Sequence, residues 1–146
     1  MDECLDGEQR QAGLGFVEYL KLVKMTPHWT NRNAWDVKYK GRGVCRIYVW
    51  DSSWLIRPSF NYDYDSALFA FLAGEKQQEI IWGNIGFCRA CHKIPCTVKS
   101  INVMGKEFKN VCSCVLFQFQ DPDTATIECA KKLIGYRRAA IAVRTA

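Results

Sequence analysis

Four cysteines stand at a spacing that can hold a metal ion: Cys88-x-x-Cys91-x4-Cys96, then Cys112. Structural zinc takes four soft ligands in a tetrahedron, and thiolates at about 2.3 Å serve well. A C-x-x-C turn brings two sulfurs to one ion, Cys96 returns after Pro95, and Cys112 would come from a hairpin strand. The expected centre is therefore zinc, or another thiophilic metal, on Cys88, Cys91, Cys96 and Cys112. Cys114 and His92 are spare ligands, and iron is an alternative ion. Five of the eight cysteines fall between 88 and 114, whereas Cys4, Cys45 and Cys129 are scattered. Two other readings stay open. The cysteines could be free and buried, as cysteine often is. The C-x-x-C pair could cycle as a dithiol, but thioredoxin-like motifs open a helix after a strand. Here the motif follows a predicted helix and enters a loop.

Aromatic residues are the second chemical feature. Trp35, Trp50 and Trp54 are expected to cluster on one side of the first three strands and line a pocket for a small apolar ligand or a partner. The competing reading is a core filled by large rings. A catalytic set does not stand out. The two histidines are His28 and His92, no nucleophile comes with a base at recognisable spacing, and no phosphate-binding G-x-x-x-x-G-K-[ST] occurs. Tyr62-Asp63-Tyr64-Asp65 reads as a solvated turn. A non-enzymatic module is the expectation, with a thiol redox or metal-handling protein as the alternative.

The chain has 146 residues and a formal net charge of +5, with 49% hydrophobic and 24% charged residues. This composition excludes a disordered tail, a collagen-like chain and a coiled coil. The basic excess is spread along the chain, so nucleic acid is not the favoured partner. The densest run, Lys131, Lys132, Arg137 and Arg138, suits the C-terminal half of a helix; a basic C-terminal helix on nucleic acid is the third reading. No run of ~18 apolar residues suggests a membrane span. The acidic start Met1-Asp2-Glu3-Cys4-Leu5-Asp6 lacks the form of a secretory signal. The expected compartment is the cytoplasm, where thiols stay reduced.

These residues must be positioned by a small set of elements. Residues 9–25 read as a helix, with Phe16, Leu20 and Val23 in one stripe, stopped at Thr26-Pro27. Trp35, Val37 and Tyr39 alternate with polar residues, predicting a half-buried strand. A Lys40-Gly41-Arg42-Gly43 turn leads to a strand over 44–50 and another over 54–60, with Pro58 implying an edge or a bulge. Residues 65–73 could be helix or strand, and 75–85 look helical. Strands over 97–103 and 108–120 flank Met104-Gly105-Lys106. Asp121-Pro122 reads as the cap and first residue of a last helix, with Ile127, Ala130, Ile134 and the stem of Arg137 on one face. The sum is one α+β domain over 1–146, a mostly antiparallel sheet covered on one face by helices.

Two stretches carry a resemblance. Trp35-x-Val37-Lys38-Tyr39-Lys40-Gly41-x-Gly43-Val44-Cys45-x-Ile47 is similar to a hairpin of small uncharacterised bacterial proteins, distantly similar to the frataxin-like iron-chaperone group. The cysteine motif with Met104-Gly105-Lys106-Glu107-Phe108-x-Asn110-Val111-Cys112 resembles a tail in hypothetical proteins of anaerobic Firmicutes. The resemblance implies a single α+β domain, a bacterial cytosolic source and Cys112 rather than Cys114 as fourth ligand. It carries no reaction, and the first helix lacks the acidic ridge of frataxins.

Overall fold

The computed structural model describes residues 4–59, 66–87, 99–111 and 117–146. Among these, the elements in chain order are α1 (Gly7–Leu22), β1 (Thr26–Asn31), β2 (Ala34–Tyr39), β3 (Arg42–Trp50), β4 (Ser53–Pro58), α2 (Ser66–Gly74), α3 (Gln78–Gly83), β5 (Lys99–Val103), β6 (Lys106–Val111), β7 (Phe119–Gln120) and α4 (Thr124–Arg144). They group into two compact units, one of residues up to Ser59 with Phe119–Ala146, the other Phe60–Gln118. The fold class is α+β, as the pattern of elements predicts.

The first unit is a five-stranded antiparallel sheet in the order β1-β2-β3-β4-β7. Cross-strand pairs Trp35–Ile47, Val37–Cys45, Ile47–Ile56, Val49–Trp54 and Ile56–Phe119 put these side chains on one face, since neighbours along a strand alternate. Helices α1 and α4 cover that face. Phe16 of α1 meets Trp54 with ring centroids 6.0 Å apart, and Gly13, Phe16 and Leu20 form the buried stripe. From α4, Ile127, Cys129, Ala130, Leu133, Ile134 and Ile141 are buried, with α4 against β3, β4 and β7.

Several expectations are corrected in detail. Helix α1 ends before Pro27 is reached. Lys24 takes the left-handed conformation (φ 59°), its N–H donates to the Lys21 carbonyl at 3.0 Å, and the Met25 N–H donates to the Leu20 carbonyl at 2.8 Å. This is a Schellman closure with a fully buried Met25 as its apolar anchor. Thr26-Pro27 then begins β1, an unpredicted strand; it is an edge, where proline is tolerated. Pro58 does not lie in an edge strand, because β4 sits between β3 and β7. It is tolerated because β7 pairs only with Leu55 and Ile56 and leaves Pro58 without a partner on that side.

The cap of α4 also shifts. Asp123, not Asp121, is the N-cap, its Oδ1 accepting from the Thr126 N–H at 2.8 Å. Asp121 (φ 41°) is engaged elsewhere. Its Oδ1 accepts from the Trp54 N–H at 2.8 Å and its Oδ2 from the Ser53 hydroxyl at 3.0 Å, while its own N–H donates to the Trp54 carbonyl at 2.9 Å. The side chain extends the β4–β7 ladder beyond two residues.

In the second unit, the segment read as helix or strand over 65–73 contains α2, Ser66–Gly74. The segment read as helix over 75–85 yields only α3. Lys76, left-handed at φ 58°, closes α2 with the Gln77 N–H donating to the Leu72 carbonyl at 2.9 Å. β5 and β6 form a hairpin around Met104 and Gly105, both at positive φ (50° and 86°), as a two-residue turn requires. Within the stretch read as a strand over 108–120, β6 runs to Val111, Phe117 bridges to Ile85 and Phe119 belongs to β7, while residues 112–116 lie outside the described residues. Trp82 donates its Nε1–H to the Val103 carbonyl at 2.8 Å, tying α3 to the hairpin. No described helix is long and apolar enough to cross a membrane.

Candidate functional site

Cys88, Cys91, Cys96 and Cys112, with Cys114 and His92, lie outside the described residues, as does Tyr62-Asp63-Tyr64-Asp65. Among the described residues no group of three or more His, Cys, Asp or Glu side chains could hold a metal. The scattered cysteines are free thiols: Cys4 is exposed, Cys45 and Cys129 are buried. Burial pushes the Cys129 thiol up to about 11, with Lys132 opposing. The Cys45 thiol is raised further, by burial and then by the Asp36 charge. Burial disfavours the thiolate at both positions near neutral pH.

The three tryptophans do not come together. Trp35 and Trp54 stand on the helix-covered face and Trp50 on the other, because Trp50 is three residues from Ile47 along β3 and alternation reverses its side. Trp54 is fully buried; its ring contacts Phe16, and its Nε1–H donates to Gln9 Oε1 at 2.7 Å. It is core. Trp35 reaches an opening, a groove of about 190 Å³ lined by Leu14 and Val17 of α1 with Pro27, Trp35 and Ile47 of the sheet. The wall is apolar because α1 turns Leu14 and Val17 toward β1 and β2. Leu14 remains 41% exposed at its rim. Such a surface can accept a small apolar molecule by excluding water.

The opposite face has different chemistry. Pairing aligns His28, Asp36, Arg46 and Arg57 in one row across β1 to β4. Asp36 Oδ1 accepts from Arg46 Nε at 2.5 Å, and this bond raises the Arg46 pKa further. Tyr48 Oη accepts from Arg46 Nη1 at 3.3 Å and Arg57 Nη1 at 3.2 Å. The Arg57 guanidinium lies 4.9 Å from the Tyr48 ring centroid. Tyr48 in turn stacks on Trp50, centroids 5.7 Å apart and planes 7° from parallel. Sequence reasoning passed over Arg46, Tyr48 and Arg57. Their signal was the other half of the same alternation, Arg46-x-Tyr48-x-Trp50.

Basic residues distant in sequence also converge. Lys40 Nζ donates to the Thr145 hydroxyl at 3.3 Å, and Arg138 lies 4.8 Å over the Tyr39 ring. Burial, then the charges of Arg144 and Arg42, hold the Arg137 pKa down. The tip of the β2–β3 hairpin and the end of α4 thus gather like charges that appear spread along the chain.

No protein-family model, curated protein or solved structure matches this chain.

Proposed function

We propose that this chain is a non-enzymatic binding module that holds a small apolar molecule in the groove between α1 and the sheet. One observation carries the reading: five apolar side chains from α1, β1, β2 and β3 line an opening of about 190 Å³ beside a half-buried tryptophan. Among the described residues the groove's lining side chains are all apolar, which suits binding by exclusion of water. A neutral environment-sensitive dye such as Nile red should brighten on the native chain. Val17→Trp, which fills the groove, should abolish that signal while leaving far-UV circular dichroism intact. Equal dye binding by Val17→Trp would refute the reading.

We further propose that Cys88, Cys91, Cys96 and Cys112 hold a zinc ion with a structural role. Support comes from ligand type and spacing. The module would work in a bacterial cytoplasm; the free, buried thiols of Cys45 and Cys129 are in keeping with a reducing compartment.

A further inference from the structure

The sheet face turned away from α1 and α4 carries a charge that its own residues do not balance. In the row His28–Asp36–Arg46–Arg57, the carboxylate of Asp36 is spent on Arg46. Arg57 stands directly opposite Arg46 on β4, and like charges so placed repel. Among the described residues Arg57 has no carboxylate partner. Among the described residues its side chain donates to Tyr48 Oη, which Arg46 shares. Its Nε is buried without a hydrogen-bond partner. Two guanidinium groups on one phenol oxygen and one carboxylate leave an unmet demand for anionic oxygen.

Next to this cationic row stand Tyr48 and Trp50, parallel and stacked, with Trp50 40% exposed. Strand β3 supplies Arg46, Tyr48 and Trp50 at alternate positions, so cation and aromatic surface repeat along one line. From Arg42 to Trp50 that strand runs about 27 Å at ~3.4 Å per residue. At its Arg42 end it meets the basic cluster of the hairpin tip and α4.

We propose that this sheet face binds single-stranded nucleic acid, with a base stacked on the exposed Trp50, which Tyr48 backs from behind, and backbone phosphate held by Arg57. Aromatic faces take any base, and guanidinium groups take the phosphates between them. A duplex offers the phosphates but hides the base faces inside its stack, so it can use only half of the surface. An acidic peptide could meet Arg57 but would leave the stacked rings unused. The inference is independent of the apolar groove, which lies on the sheet's other face.

The test is fluorescence anisotropy of the full chain with labelled oligothymidylate or oligouridylate of about 15 nucleotides, across a salt series, beside a duplex of equal length. Either sugar binding more tightly than the duplex supports the proposal, and a preference between them names the source. Trp50→Ala should weaken binding roughly ten-fold without changing the salt slope, and Trp50→Phe should restore most of it. Arg57→Gln should lower the slope of log affinity against log salt by about 0.7, one phosphate contact on a single strand. Circular dichroism of each variant separates lost binding from lost fold, and Trp50→Phe and Arg57→Gln carry the test if Trp50→Ala does not fold. No binding at ~50 mM salt would overturn the proposal. So would equal affinity for the duplex, or a folded Trp50→Ala within two-fold of the parent.

Discussion

Replacing Trp54 with alanine should be among the most damaging changes in the first unit, and the structure says by how much. The side chain is fully buried, its ring meets Phe16 at 6.0 Å, and its Nε1–H donates to Gln9 Oε1 at 2.7 Å. Truncating a buried tryptophan costs about 3–5 kcal/mol in lost transfer energy and residual cavity. Small proteins have only about 5–15 kcal/mol in all. At about 2–4 °C per kcal/mol for a chain of this size, Trp54→Ala should lower Tm by roughly 6–20 °C. Trp54→Phe divides the effect: it keeps a ring against Phe16 but loses the hydrogen bond to the partly exposed Gln9, worth about 0.5–1.5 kcal/mol. Trp50→Ala is the counterpart on the other face and should cost only about 0.5–1.5 kcal/mol, the worth of its stack on Tyr48. Thermal and urea unfolding followed by far-UV circular dichroism avoid reliance on tryptophan emission. A loss below about 1 kcal/mol for Trp54→Ala, or equal losses for Trp54→Ala and Trp50→Ala, would refute this division of the sheet's faces.

Other predictions rest on thiols. Cys129 ionises at about 11 in the folded chain against an ordinary 9.0, so the unfolded state releases this proton first as pH rises. Stability from keeping this thiol neutral is complete below pH 9 and is lost between pH 9 and about 11; urea midpoints at pH 8 and pH 10.5 should show the fall, and Cys129→Ala should shrink it. An unchanged slope in Cys129→Ala would assign the fall to other groups. Chain purified without a histidine tag should contain one zinc per molecule by elemental analysis, and Cys91→Ser should lower both metal content and Tm. A metal-free chain as stable as one refolded with zinc would remove the cysteine site.

Much of the first unit was legible because alternation in β2 and the β-branched and aromatic runs of β3 and β4 mark strands without knowledge of partners. Register was not legible, and register decides that Trp50 parts from Trp35 and Trp54. The end of α1 before Lys24 and the break at Lys76 ahead of α3 were not legible for a shared reason. Both close a helix in the left-handed conformation, a task usually announced by glycine. Here the closures rest on bonds to Leu20 and Leu72 carbonyls, which lysine does not advertise. Asp121 was a plausible cap by type and place; its carboxylate instead serves the Trp54 backbone, a contact 67 residues away in sequence. β1 was missed because edge strands need not alternate, and its burial pattern scarcely does. The polar row escaped notice because an exposed arginine on a strand is ordinary alone. It acquires meaning only when four strands place it beside another.

The pairing of Ile56 with Phe119 means that the chain leaves the sheet and returns to it at adjacent lanes. Everything from Phe60 to Gln118 is an excursion whose two ends are held side by side by β4, β7 and the carboxylate of Asp121. The entropy of closing such a circuit grows only with the logarithm of its length, about 0.6 kcal/mol for each doubling. The sheet is therefore nearly indifferent to how long the excursion is, provided the stitch at Trp54 and Asp121 holds. An architecture of this kind lets one segment change size and chemistry while the module that carries it keeps its register.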